Sequence, residues 1–308
     1  MYRLFAVFLF SLALSCLSTQ SAIATGIAAG AKPNTPEIKA YKEAVQHWTG
    51  EIKKNPKDVE PYYRRGNAYG NLGDYKRAIE DYSRALELNP KEPRVLVNRG
   101  NLYGKQGEHK RAIEDLNRSI EIKPRDTMAL FSRCVAHGAL EQYKEAMEDC
   151  TRALELQPKH AGALVNRGAA YAGLGKHKEA IADYDEAIKL DPKNVVAYYN
   201  RSSEYGAIGD YKQVIKDADR ALELDSSNDA ALLNRGNAKV KLGDAKGAIK
   251  DFDRALGINP KYAAAYAGRG AAYGKLGEQA KAMEDYKSAA RLGLKAAQDF
   301  LKSQNITW

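Results

Sequence analysis

The chain has 308 residues, 44% hydrophobic and 28% charged, with a formal net charge of +9, the composition of a soluble, well-packed protein. Its positive charge is interleaved with Asp and Glu, with no basic run or stacking motif, which argues against a nucleic-acid-binding protein. Three cysteines are too few for a disulfide framework.

The chain opens with Arg3, then an apolar run from Leu4 to Leu14, then Ala22-Ile23-Ala24. A basic start, a short apolar stretch and an Ala-x-Ala cleavage pattern predict a signal peptide over residues 1–24 and export to a periplasmic or secreted location. Two alternatives stay open: a lipoprotein modified at Cys16, although Ala13 stands where such signals carry Leu, and a retained membrane anchor. Residues 25–35, with Gly26, Gly30 and Pro33, read as a linker. A leading helix follows over 36–58, with Thr35 as its cap. Its Tyr41-Lys42-Glu43-Ala44 aligns with Tyr75-Lys76-Arg77-Ala78 one period later, so it is the second helix of a half-repeat.

From there one triplet sets the register. Asn-Arg-Gly occurs at Asn98, Asn166 and Asn234, with relatives at the halfway points, and an arginine recurs every 34 residues. Such strict periodicity is the signature of a solenoid. Seven units are predicted: 59–92, 93–126, 127–160, 161–194, 195–228, 229–262 and 263–296. Each holds two helices. The first ends near a glycine such as Gly73 or Gly243, and the second stops before a proline such as Pro90 or Pro192. Residues 295–308 are a C-terminal capping helix and tail, with Leu294, Ala297 and Leu301 closing the end.

These residues resemble the tetratricopeptide repeat (TPR) family across residues 36–303. The first-helix pattern is matched by Tyr198, Ser202 and Tyr205, and the second-helix pattern by Ala78, Tyr82, Ala85 and Pro90. Among the departures, His137 and Lys239 replace a tyrosine, Glu141 replaces a glycine and Ser226 replaces a proline. The resemblance implies an all-α, right-handed superhelical solenoid that binds partners in a concave groove lined by the first helices.

Counting outward from the arginine separates scaffold from candidate site. Sixteen residues after each arginine stands an aspartate, which predicts seven structural ion pairs: Arg65–Asp81, Arg99–Asp115, Arg133–Asp149, Arg167–Asp183, Arg201–Asp217, Arg235–Asp251 and Arg269–Asp285. The opposite face of the first helix is implied to line the groove. Its candidate peptide-binding residues are Tyr63, Asn67, Asn98, Asn101, Phe131, Asn166, Tyr199, Asn200, Asn234 and Asn237. Asparagine offers a donor and an acceptor to a peptide backbone, and the aromatic rings offer apolar pockets. Asn98, Asn166, Asn200 and Asn234 resemble the asparagine ladder of the nucleocytoplasmic glycosyltransferase that modifies Ser and Thr, with Ser132 interrupting the run. Alternatively, these amides cap local turns or bond between neighbouring helices. The two-carboxylate clamp that grips chaperone C-termini fails here, because Tyr63, Met128 and Ser132 stand where it needs basic or polar partners.

No phosphate loop, metalloprotease motif or nucleophile elbow occurs, and no metal or cofactor is expected. Cys134, His137 and Cys150 share one repeat but make too few ligands for zinc. The two cysteines fall in facing columns, which leaves either a disulfide or two buried thiols. His109 and His177, in a turn column, read as solvated. The sequence thus predicts an exported, non-catalytic scaffold that holds an extended segment of a partner protein. The alternative is an assembly factor of a cell-envelope complex, acting through its convex face (Lys144, Lys178) or its ends.

Overall fold

The computed structural model describes residues 35–308, and the predicted signal peptide, Cys16 and the linker up to residue 34 lie outside them. Sixteen helices and no strand occur among the described residues. A leading helix α1 (Thr35–Lys54) is followed by seven hairpins: α2/α3 (Val59–Asn71, Tyr75–Leu88), α4/α5 (Pro93–Lys105, His109–Ile122), α6/α7 (Thr127–Ala139, Tyr143–Leu156), α8/α9 (Ala161–Gly173, His177–Leu190), α10/α11 (Val195–Ala207, Tyr211–Leu224), α12/α13 (Asp229–Leu242, Ala245–Ile258) and α14/α15 (Ala263–Lys275, Gln279–Arg291). A last helix α16 (Lys295–Ser303) follows. The helices fall into two compact units, residues 35–170 and residues 171–308, with the division inside α8.

Local chemistry sets the boundaries. Asp58, Asp74, Asp126, Asn194, Asp210, Asn228 and Asp244 each accept a backbone N–H of the following first turn, satisfying donors that the helix leaves open. First helices end in a left-handed residue, which is glycine in six hairpins, as at Gly73 (φ +79°) and Gly243 (φ +91°). In the third hairpin that residue is Glu141, at φ 58°, where a side chain costs about 1–2 kcal/mol.

In α2/α3, α4/α5, α12/α13 and α14/α15 a glycine on the first helix faces a larger side chain on the second. A Cβ on Gly66 would lie 2.6 Å from the Tyr82 ring, and one on Gly236 would lie 2.7 Å from Phe252. The missing side chain is what lets Phe252 become fully buried, a contribution of about 1.5–3 kcal/mol. In α6/α7 the same two columns carry Cys134 and Cys150, which form a disulfide between helices with Cα atoms 5.5 Å apart. In α10/α11 they carry Ser202 and Ala218, and the serine hydroxyl donates to the Val214 carbonyl at 3.2 Å.

The ends are covered within their own units. α1 packs on α2, as a leading second helix should. At the other end Phe300 and Leu301 of α16 are buried against Tyr286, Ala289 and Ala290.

Candidate binding wall on the first helices

Six of the predicted arginine–aspartate pairs lie within one unit, and each is bidentate. Arg65 Nε donates to Asp81 at 2.8 Å and its Nη2 at 2.7 Å. Arg235 does the same to Asp251 at 3.0 and 2.6 Å. Arg99–Asp115, Arg133–Asp149, Arg201–Asp217 and Arg269–Asp285 repeat the geometry. The aspartate side chains are only 2–7% exposed.

The third nitrogen of each guanidinium reaches the other way, to a residue sixteen places before the arginine. The acceptors are Thr49, Ser83, Asn117 and Thr151 for Arg65, Arg99, Arg133 and Arg167. For Arg201, Arg235 and Arg269 they are Asp185, Asp219 and Asp253, at 2.5–2.6 Å. Each arginine therefore ties its first helix to the helix before it, and the six paired within one unit tie it to their own second helix as well. These side chains are consumed in the scaffold and present no basic stripe to a ligand.

Two replaced tyrosines feed the same network. Lys239 Nζ sits 2.7 Å from Asp251, and His137 Nε2 sits 3.8 Å from Asp149 while its Nδ1 meets Gln142.

The candidate groove residues divide into two sets. Asn166, Asn200 and Asn234 are buried, at 2–5% exposure. Asn166 Nδ2 donates to the Gly162 carbonyl of its own helix. Asn234 Nδ2 donates to Ser203 Oγ at 2.9 Å and to the Tyr199 carbonyl at 3.3 Å, both on α10. Tyr199 is itself half-buried, with its phenol pushed up to about 12 by burial. The expectation that these three amides point openly into a groove is corrected: Asn234 bridges adjacent first helices, and Asn166 and Asn200 are equally enclosed.

In the second set the asparagines are partly exposed, Phe131 is 6% exposed with its side chain at the edge of a cavity, and much of the set converges. Asn67, Asn98, Asn101 and Phe131 line one pocket of about 620 Å³ across α2, α4 and α6. Its floor is a polar chain: the Tyr82 hydroxyl donates to Asn67 Oδ1 at 2.6 Å, and Asn98 Nδ2 donates to the same oxygen at 2.8 Å. Burial pushes the Tyr82 phenol well up, so it stays neutral. Asn71 and Lys105, the last residues of α2 and α4, also line the pocket, as do Met128 and His160. The Phe131 and His160 rings lie 4.6 Å apart, and Met128 is 58% exposed. Asn71, Lys105, Met128 and His160 were missed as site residues from the sequence. Tyr63 stands beside the pocket, within 3.4 Å of the Asn98 amide, and Asn237 is half-buried on α12.

One further pair differs from the sequence reading. His177 is not simply solvated: its Nδ1 lies 2.7 Å from Glu204 Oε2 across α9 and α10. Glu204 is 7% exposed in a column that otherwise carries Ala or Leu, and burial raises its carboxyl, offset in part by the His177 hydrogen bond. His109, too, has its Nδ1 buried. No cluster able to hold a metal ion occurs among the described residues, and no helix there is long and apolar enough to cross a membrane.

Family profiles described as tetratricopeptide repeat match residues 59–92, 93–126, 128–160, 161–194 and 195–228, and one described as TPR repeat matches 236–277. The chain belongs to the tetratricopeptide repeat family. No curated protein matches it. Among solved structures, a TPR protein from Parabacteroides merdae is 20% identical, with a TM-score of 0.63 over 79% of this chain and 97% of that one. YrrB, described as a TPR protein with an unusual peptide-binding site, is 24% identical, with a TM-score of 0.53 over 60% of this chain and 95% of its own. The Cut9–Hcn1 hetero-tetramer of the APC/C gives 15% identity and a TM-score of 0.66 over 85% of this chain and 52% of that one. At these identities the likeness is one of fold.

Proposed function

We propose that this TPR protein is an interaction scaffold that holds an extended segment of a partner protein against its first helices, centred on the pocket of α2, α4 and α6. One observation carries the reading: four asparagines and a Met128–Phe131–His160 wall converge on an open cavity of about 620 Å³, which combines adaptable hydrogen bonding with an apolar seat. YrrB, of the same fold, is described as having a peptide-binding site, which supports the same reading. The scaffold acts outside the cytoplasm. The signal-like residues 1–24 favour export, and the Cys134–Cys150 disulfide suits an oxidising compartment. The intact mass of the protein recovered from cells tests cleavage after Ala24 against lipidation at Cys16.

Site-specific photo-crosslinking in cell envelopes tests the binding reading. A crosslinker at Met128 is expected to capture a defined partner, while one at the exposed Lys144 on α7 captures none. Capture through Lys144 with silence at Met128 overturns the proposal in favour of assembly through the outer face.

A further inference from the structure

The charge balance of the pocket narrows what it takes, provided that it is the peptide site just proposed. Lys105 is the only Lys, Arg, Asp or Glu among its lining residues. On the first helices nearly every arginine carries a carboxylate, whereas Lys105 stands exposed at the end of α4. Lys105 makes no ion pair among the described residues; its ammonium rests 5.8 Å from the centroid of the Tyr75 ring. Beside it stand the amides of Asn71 and Asn101, which donate hydrogen bonds readily to an anion.

By the repeat register Phe131 occupies the place of Val97, eight residues before Lys105, or about 12 Å along the helix direction. An extended chain covers that distance in about four residues. A neutral ligand would shield Lys105 from water without replacing its hydration, whereas a carboxylate would compensate it. No acidic side chain on the wall opposes such a ligand.

We propose that the pocket selects an internal partner segment carrying a large apolar side chain and, about four residues away, an Asp or Glu, with the apolar group against Met128 and Phe131 and the carboxylate on Lys105. The single lysine matches one carboxylate of a side chain.

The test is a random twelve-residue peptide display library selected on the full chain and, in parallel, on Lys105→Gln. Selected peptides are then synthesised with amidated C-termini, so that no terminal carboxylate contributes, and measured by fluorescence anisotropy beside their Glu→Gln or Asp→Asn versions. On the wild-type protein the acidic peptide is expected to bind roughly fivefold tighter than its amide version. Lys105→Arg keeps that ratio, and Lys105→Gln brings it to unity. Equal affinity of acid and amide peptides, or a ratio that survives Lys105→Gln, overturns the acid preference. If selected peptides bind but Met128→Ala leaves their affinity unmoved, the pocket reading itself falls with it.

Discussion

Asp251 is where the scaffold is most exposed to a single change. Its carboxylate, 3% exposed, holds Arg235 through two hydrogen bonds and Lys239 through a third contact at 2.7 Å. Asp251→Ala leaves two cations, 15% and 22% exposed, without that partner. Removing one side of a buried pair costs about 3–5 kcal/mol. Arg235 keeps Asp219 at 2.6 Å, and Lys239 has a flexible stem, so the loss should sit at the lower end, about 3 kcal/mol. In a cooperative unit of this size that lowers Tm by about 10 °C. Asp219 is the control. It is 49% exposed, and Asp219→Ala should cost less than about 1 kcal/mol. Because repeat arrays open in sections, amide hydrogen exchange in α12 and α13 should accompany the melting curves. Equal losses for the two variants, or an Asp251→Ala protein that melts and exchanges like the parent, refute the idea that the inner carboxylate carries the clamp.

Other outcomes follow from the same structure. Replacing both Cys134 and Cys150 with serine opens a link across sixteen residues and should cost about 3 kcal/mol. Cys134→Gly with Cys150→Tyr, which copies the Gly66–Tyr82 contact, should recover most of that in thermal melts; a double variant as weak as the serine protein contradicts this. Glu141→Gly relieves the left-handed backbone and should gain about 1 kcal/mol in urea unfolding, and a loss would show that Glu141 is not strained. Because burial raises the Glu204 carboxyl above its ordinary 4.5, its protonated form favours the folded state. That contribution is complete below pH 4.5 and fades as pH rises through the folded-state value. Glu204→Gln should therefore melt increasingly above the parent as pH climbs from about 4.5 towards neutrality, and parallel Tm curves sink that account.

Most of the scaffold was legible because its columns are uniform in residue type. The Arg-to-Asp spacing repeats without exception, so a bond between helices could be read from spacing alone. The second arm of each clamp escaped notice because its column runs Thr49, Ser83, Asn117, Thr151, Asp185, Asp219, Asp253. These residues look unrelated and share only an oxygen acceptor. The asparagines misled for a geometric reason. The position before the arginine lies at the border between the open wall and the seam with the preceding first helix. A 100° step per residue does not say on which side an amide falls, and in Asn166, Asn200 and Asn234 it falls inside. Asn98 makes the same kind of bridge, to Asn67 on the first helix before it, but stays half-buried at the edge of the pocket. The pocket drew Met128 and His160 from a helix start and a turn, positions that periodicity does not mark.

The clamp arginines also make the 171–308 unit interchangeable at its joints. Asp185, Asp219 and Asp253 are the same acceptor in three successive places, and Arg201, Arg235 and Arg269 reach them identically. Excising residues 195–228 would bring Arg235 opposite Asp185, and duplicating them would set Arg201 opposite Asp219, so neither splice alters the bonds at the new junction. A scaffold built this way changes its length by whole modules and keeps its fastening, which gives gene duplication and the protein engineer the same 34-residue increment to work with.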